Sequence, residues 1–134
     1  MRKYLAISLL AVTLLAVYYE GGIPKRVADK VAPPAPTKAK VTFVELGSVN
    51  CIPCRAMQPV MRGLEKKFGD QIRIVFYDVW QDEAPAKTYN IRVIPTQVFL
   101  DEDGRELHRY EGFYPLAQIE SLLRAKGLRA LNGG

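Results

Sequence analysis

Two cysteines separated by two residues form the segment Cys51-Ile52-Pro53-Cys54. A thiolate is a nucleophile and a metal ligand, and a second thiol at this spacing reaches the first in a small ring. The segment follows a β-rich run and opens a helical one. At a helix N-terminus, free N–H groups and the positive end of the dipole stabilise a thiolate. Pro53 suits the first turn, where a missing N–H costs nothing. On this reading Cys51 is the exposed nucleophile, and Cys54, one turn in, is buried and resolves a mixed disulfide. Two other chemistries compete with redox exchange. Half a structural zinc site is one, but such a site takes four ligands, and beyond the two thiols the chain has one histidine, His108. It would need carboxylates or a second chain, so no metal is expected. A static disulfide is the other, and closing so small a loop adds little stability.

The elements that must hold the pair follow from periodicity. Val41–Leu46 reads as a strand with Val41, Phe43 and Glu45 on one face. A helix is expected over Ile52–Phe68, stopped by Gly69. Ile72–Tyr77 is a buried-type strand, Glu83–Tyr89 a short helix and Thr96–Leu100 a third strand. Asp101–Gly104 is a hairpin loop rather than a calcium site, and Glu106–Tyr110 is the returning strand. Pro115–Ala125 carries Leu116, Ile119, Leu122 and Leu123 at amphipathic spacing, with Gly127 as its stop. The order β-α-β-α-β-β-α predicts an α/β domain with a mixed sheet and helices on both faces.

Residues 41–126 resemble the thioredoxin family, and five matches in order carry the resemblance. Cys51-Ile52-Pro53-Cys54-Arg55 resembles Cys-Gly-Pro-Cys-Lys. Pro59 falls where thioredoxins kink the active-site helix. Ile94-Pro95-Thr96 resembles the family's Ile-Pro-Thr with its cis proline. Gly104 matches the hairpin glycine, and Gly112 the glycine before the last helix. The resemblance implies a thioredoxin fold, and thiol–disulfide exchange through a redox-active Cys51–Cys54 disulfide with no other cofactor. It implies that Pro95 is cis and presents the Ile94 backbone to an extended substrate, with Ile52, Pro53 and Gly112 lining the contact.

Glu45 lies six residues before Cys51, where thioredoxins carry a buried Asp. In a central strand covered on both faces its carboxyl would be desolvated and its pKa raised. It could then accept the Cys54 proton, through water, as that thiol attacks. The competing reading is a solvated glutamate at a strand end. Several positions depart from the family. Asn50 stands in place of Trp, which removes apolar docking surface. Phe76 stands in place of a Lys near the buried acid, so Glu45 should be harder to ionise. Ile52 replaces Gly beside the nucleophile. Trp80, Tyr89, Phe113 and Tyr114 read as core or rim residues, and Asp82 with Glu83 as a solvated turn.

Charge locates the rest. The chain has 134 residues and a net charge of +5. Residues 1–40 hold seven basic and two acidic residues, whereas residues 41–134 hold twelve of each sign. A nucleic-acid domain carries its basic excess on the folded body, so no nucleic-acid partner is expected. No glycine-rich phosphate loop is present. Arg2 and Lys3 precede an apolar run over residues 4–19, the pattern of an export signal. No Ala-x-Ala cleavage pattern follows, and sixteen helical residues span roughly 24 Å against a hydrocarbon core of about 30 Å. Residues 1–20 are thus a signal peptide or, by preference, a membrane anchor that exports the body. Residues 21–40 form a Pro/Ala/Lys-rich tether, residues 41–128 the domain, and residues 129–134 a loose tail. The expectation is an extracytoplasmic oxidoreductase, periplasmic or in the cell envelope, tethered to the inner membrane. Its partners would be protein thiol and disulfide substrates, with electrons from a membrane thiol transporter of the DsbD type. Pro53 favours reductant over oxidant, because strong oxidants of this fold carry His there. An oxidase or isomerase, and a peptide-binding module without turnover, are the alternatives.

Overall fold

Strand β1, Val41–Gly47, is buried along its whole length, and its alternation dictates the layers. In this computed structural model, which describes residues 38–131, Val41 and Phe43 face one core and Val44 and Leu46 another. Strands β2 (Ile72–Asp78), β3 (Thr96–Leu100) and β4 (Glu106–Glu111) complete a sheet of order β2-β1-β3-β4. β1 runs parallel to β2 and antiparallel to β3, and β3 runs antiparallel to β4. The mixed sheet expected from the element order is therefore present.

Helix α1, Ile52–Phe68, lays Met57, Val60, Met61, Leu64 and Phe68 on the first face. That i, i+3, i+4 stripe is what buries the helix. Helix α3, Leu116–Ala125, adds Ile119 and Leu123 to the same face. The short helix α2, Ala84–Thr88, covers the other face, with Ala86 and the following Tyr89 and Ile91 packed on the second core. Between β3 and β4, Asp101 accepts from the backbone N–H of Asp103 and of Arg105, and pairs with the Arg105 guanidinium at 2.8 Å. The acidic cluster is thus a self-satisfied hairpin turn. Gly104 sits in it at φ +80°, a conformation that favours glycine.

The segment after α3 differs from expectation. Arg129 and Leu131 are held to the body: Gln71 Nε2 donates to Arg129 O at 2.7 Å, and Leu131 N–H donates to Lys67 O at 2.8 Å. The amide of Gln71 supplies partners that no local pattern reveals. At the other end, Lys40 N–H already donates to Gln71 O at 2.9 Å. The signal or anchor, most of the tether and residues 132–134 lie outside the described residues. No helix among the described residues is long and apolar enough to cross a membrane.

Candidate active site

The β1–α1 junction carries the cysteines. Cys51 is the N-cap of α1, with extended backbone, and its sulfur accepts from Cys54 N–H at 3.4 Å. Pro53 falls in the first turn, where its missing N–H removes no helical bond. Cys51 and Cys54 are joined in a disulfide, with their Cα atoms 5.2 Å apart. Exposure is asymmetric but low, 7% for Cys51 and 1% for Cys54. Cys51 is less exposed than expected of an attacking thiol, because its sulfur turns inward to bond Cys54. Ile52 and Pro53 between them are exposed, Ile52 at 74%. An apolar contact therefore flanks the sulfur pair. No acidic residue occupies the first turn of α1, so nothing there offsets the helix dipole that favours a Cys51 thiolate.

Glu45 is fully buried on the face that α1 covers. Burial pushes its carboxyl from 4.5 to about 8, with the neighbouring Gln97 amide offsetting part of the rise. No cation contributes, and the residue opposite Glu45 on β2 is Phe76. The solvated-end reading of Glu45 therefore fails. What joins Glu45 to the cysteines is the bare Cα of Gly47. A Cβ on Gly47 would lie 3.2 Å from Cys54 Sγ and 3.6 Å from Glu45 Oε1. Sulfur and carboxyl thus converge on one point, left open because residue 47 has no side chain. A carboxyl at 4.5 is about four units too weak a base for a thiol near 8.5, whereas one near 8 is almost matched.

The edge beyond the cysteines comes from the loops at the same end of the sheet. The Ile94–Pro95 bond is cis. Pro95 is buried, and the Ile94 side chain packs on the second core rather than facing outward. Neither the N–H nor the C=O of Ile94 takes a hydrogen bond among the described residues. The backbone, not the side chain, is what Ile94 offers. Gly112, at φ +99°, donates its N–H to Pro95 O at 2.7 Å, and a Cβ there would meet nothing within 4 Å. Gly112 thereby ties the end of β4 to the cis-proline turn.

Three residues that no motif in the sequence singles out also build this end: Gly47, Asp78 and Gln97. Asp78, at the end of β2, accepts from Val49 N–H and Trp80 N–H, both at 3.1 Å, and from Gln81 Nε2 at 3.2 Å. These bonds hold its carboxyl below the usual range, the Val49 amide most of all. It anchors the loop that delivers Cys51, whose N–H donates to Ser48 O at 3.2 Å. An Asp closing a strand just before Val79-Trp80-Gln81 is an Asx-turn signal, though it does not foretell the bond to Val49. The aromatic residues divide. Trp80 and Phe113 are exposed rim, whereas Tyr114 is buried and stacks on Tyr110 with centroids 4.0 Å apart. Among the described residues no group of three His, Cys, Asp or Glu side chains could hold a metal ion.

A helix-capping cysteine bonded to another within the first turn, a buried acid behind them and a cis proline at the same end of the sheet define a class, and comparison with known proteins names it. Residues 28–127 match the thioredoxin-like domain family. The chain is 33% identical over 88 residues to chloroplastic thioredoxin Y of Oryza sativa subsp. japonica, covering 63% of this chain and 52% of the rice protein. It is 30% identical over 89 residues to thioredoxin of Bacillus subtilis (strain 168), covering 66% of this chain and 85% of that one. A solved mutant thioredoxin from Halobacterium salinarum NRC-1 superposes with a TM-score of 0.60 at 22% identity, covering 67% of this chain and 77% of that one. That likeness speaks for the fold. This chain belongs to the thioredoxin family. With its Cys51–Cys54 disulfide it is a thioredoxin-like thiol–disulfide oxidoreductase.

Proposed function

We propose that the chain reduces protein disulfides outside the cytoplasm. The observation that carries this reading is the Glu45 carboxyl converging with Cys54 above Gly47. In the reaction, the Cys51 thiolate attacks one sulfur of a substrate disulfide and forms a mixed disulfide. The other substrate sulfur leaves and takes up a proton. Cys54 then gives its proton to the Glu45 carboxylate and attacks Cys51 Sγ. The Cys51–Cys54 bond forms, and the second substrate thiol is released and protonated. The substrate is reduced by two electrons and the cysteine pair is oxidised by two.

Direction follows from what stabilises the thiolate. Pro53 offers no donor to either sulfur, and a carboxyl that ionises behind Cys54 opposes added negative charge. Only the helix N-terminus favours the thiolate, so the disulfide form is not strongly disfavoured and the pair tends to give electrons away. Arg2, Lys3 and the apolar run 4–19 support an exported, membrane-tethered body. Electrons would then arrive through a membrane thiol transporter of the DsbD type. The substrates would be apocytochrome c cysteines or proteins carrying wrong disulfides. The test is the reduction potential of the pair, read by alkylation and mass after equilibration in graded thiol/disulfide buffers. A value near about −270 mV is expected, and one near about −120 mV would make the protein a disulfide donor instead. In the native compartment, Cys54→Ser should accumulate mixed disulfides through Cys51; their absence would leave a binding module.

A further inference from the structure

Glu45 and Gln97 stand directly opposite each other across β1 and β3. Both are completely buried. Three oxygens of this pair have no hydrogen-bond partner: Oε1 and Oε2 of Glu45 and Oε1 of Gln97. Gln97 Nε2 meanwhile donates to Gly112 O at 3.1 Å, and Gly112 N–H donates to Pro95 O at 2.7 Å. One amide therefore touches the cradle edge with its nitrogen and faces the buried acid with what remains.

An amide side chain has two N–H donors and one acceptor oxygen. One donor is used on Gly112. The second suits an ionised Glu45, and the free Oε1 suits a protonated Glu45, whose O–H needs an acceptor. A carboxyl that takes a proton from Cys54 and later gives it up passes through both states. A lysine would serve only the anion, and an apolar residue neither. Opposite Glu45 on its other side stands Phe76, so Gln97 has no competitor from β2. The other titratable groups on this face are Cys54 from α1, Tyr110 opposite Gln97 and His108 opposite Phe99 on β4, and Tyr114, which stacks on Tyr110 and meets His108 Nε2 at 3.4 Å. Gln97 also acts on Glu45 in the expected sense, holding its proton affinity below what burial alone would give.

We propose that Gln97 is a positioning residue of the resolving step: its amide holds the Glu45 carboxyl in both protonation states and ties it to the Gly112–Pro95 edge. The proposal rests on the reading of Cys51 and Cys54 as a turnover pair with Glu45 as proton acceptor. Replacing Gln97 by Met keeps length and removes both functions of the amide. In the full chain, Cys51 is first loaded from oxidised glutathione, and release of glutathione by Cys54 is then followed across pH. Gln97→Met should move the pH midpoint of release up by roughly one unit and slow release at neutral pH by about tenfold. Loading at Cys51 should be unchanged. In a Glu45→Gln background the same substitution should have no further effect on release.

An unmoved midpoint, or equal slowing in both backgrounds, would reduce Gln97 to a packing residue and overturn the proposal. Failure of Cys51 to load at all would instead sink the turnover reading, and the proposal with it. The unmutated protein provides a second measurement, which does not depend on the variant folding. The side-chain 15N resonance of Gln97 should titrate together with the 13C carboxyl resonance of Glu45, and Glu45→Gln should abolish that movement. A Gln97 amide signal that stays flat through the Glu45 titration would refute the coupling.

Discussion

A carboxyl buried without a hydrogen-bond partner is costly, and the cost at Glu45 depends on pH. Glu45 ionises at about 8 when folded and near its ordinary value when unfolded. Its folded pKa is raised, so its contribution is fully present below the unfolded pKa. Between about 4.5 and about 8 the unfolded chain sheds this proton and the folded chain keeps it. Stability therefore declines through that window and levels off above it, by an upper bound of about 5 kcal/mol. Glu45→Gln should remove the decline and leave the variant the more stable protein at pH 8. Urea unfolding of both proteins across pH 4 to 9 would measure this; parallel curves would mean that Glu45 ionises normally. Burial of Glu45 was readable in sequence because Val41, Phe43 and Glu45 alternate on one strand. Its partner was not. The Glu45–Gln97 pairing is set by the β1–β3 register, and nothing in the chain between them encodes that register.

Strands and helices were largely legible because each is bounded by a glycine, a proline or a change of period. The expected helix over Ile52–Phe68 is present with those bounds. α2 is shorter than its sequence pattern suggested, since it ends at Thr88 before Asn90, which takes φ +49°. The junctions were not legible, because they depend on close approach. β1 and α1 meet at Gly47, where a Cβ would sit 3.1 Å from Cys54 Cβ and 3.2 Å from its sulfur. Both contacts are tighter than ordinary van der Waals separation. The Cβ contact is the same in both redox forms, but in the disulfide form the Cys54 sulfur is pinned, whereas a free thiol can turn its sulfur away. Gly47→Ala should cost about 1–3 kcal/mol, more of it in the oxidised than in the reduced protein. The reduction potential should rise by roughly 30 mV for each 1.4 kcal/mol of that difference. Thermal unfolding of both redox forms, with the potential, would check this. Equal losses in the two forms would show that the loop, not Cys54, gives way.

The assembled fold collects apolar surface at one end. Val49, Ile52, Trp80, Val93 and Phe113 are five of the six large hydrophobic side chains exposed among the described residues. Register puts their loops together. Gly47 pairs with Asp78, Leu46 with Thr96, and Thr96 with Glu111, so the loops after β1, β2 and β4 and before β3 all open at the cysteine end. Asp78 fastens two of these loops together through Val49 and Trp80. Asn50 in place of Trp therefore does not leave a polar face; Trp80, exposed just after β2 at this end of the sheet, supplies an indole. The body from residue 41 onward carries no net charge, so long-range steering has little to act on. Docking of a protein disulfide should rest on apolar contact around Cys51. Raising ionic strength from about 0.05 to 0.5 M, which shortens the Debye length severalfold, should leave kcat/KM on a protein disulfide within about twofold. Trp80→Ala and Ile52→Ser should each raise KM for that substrate, Trp80→Ala by about tenfold for the loss of one well-packed aromatic anchor. Neither should slow attack on a small disulfide such as oxidised glutathione. A steep salt dependence with unchanged KM in both variants would mean that charge on the partner, not this rim, selects the substrate.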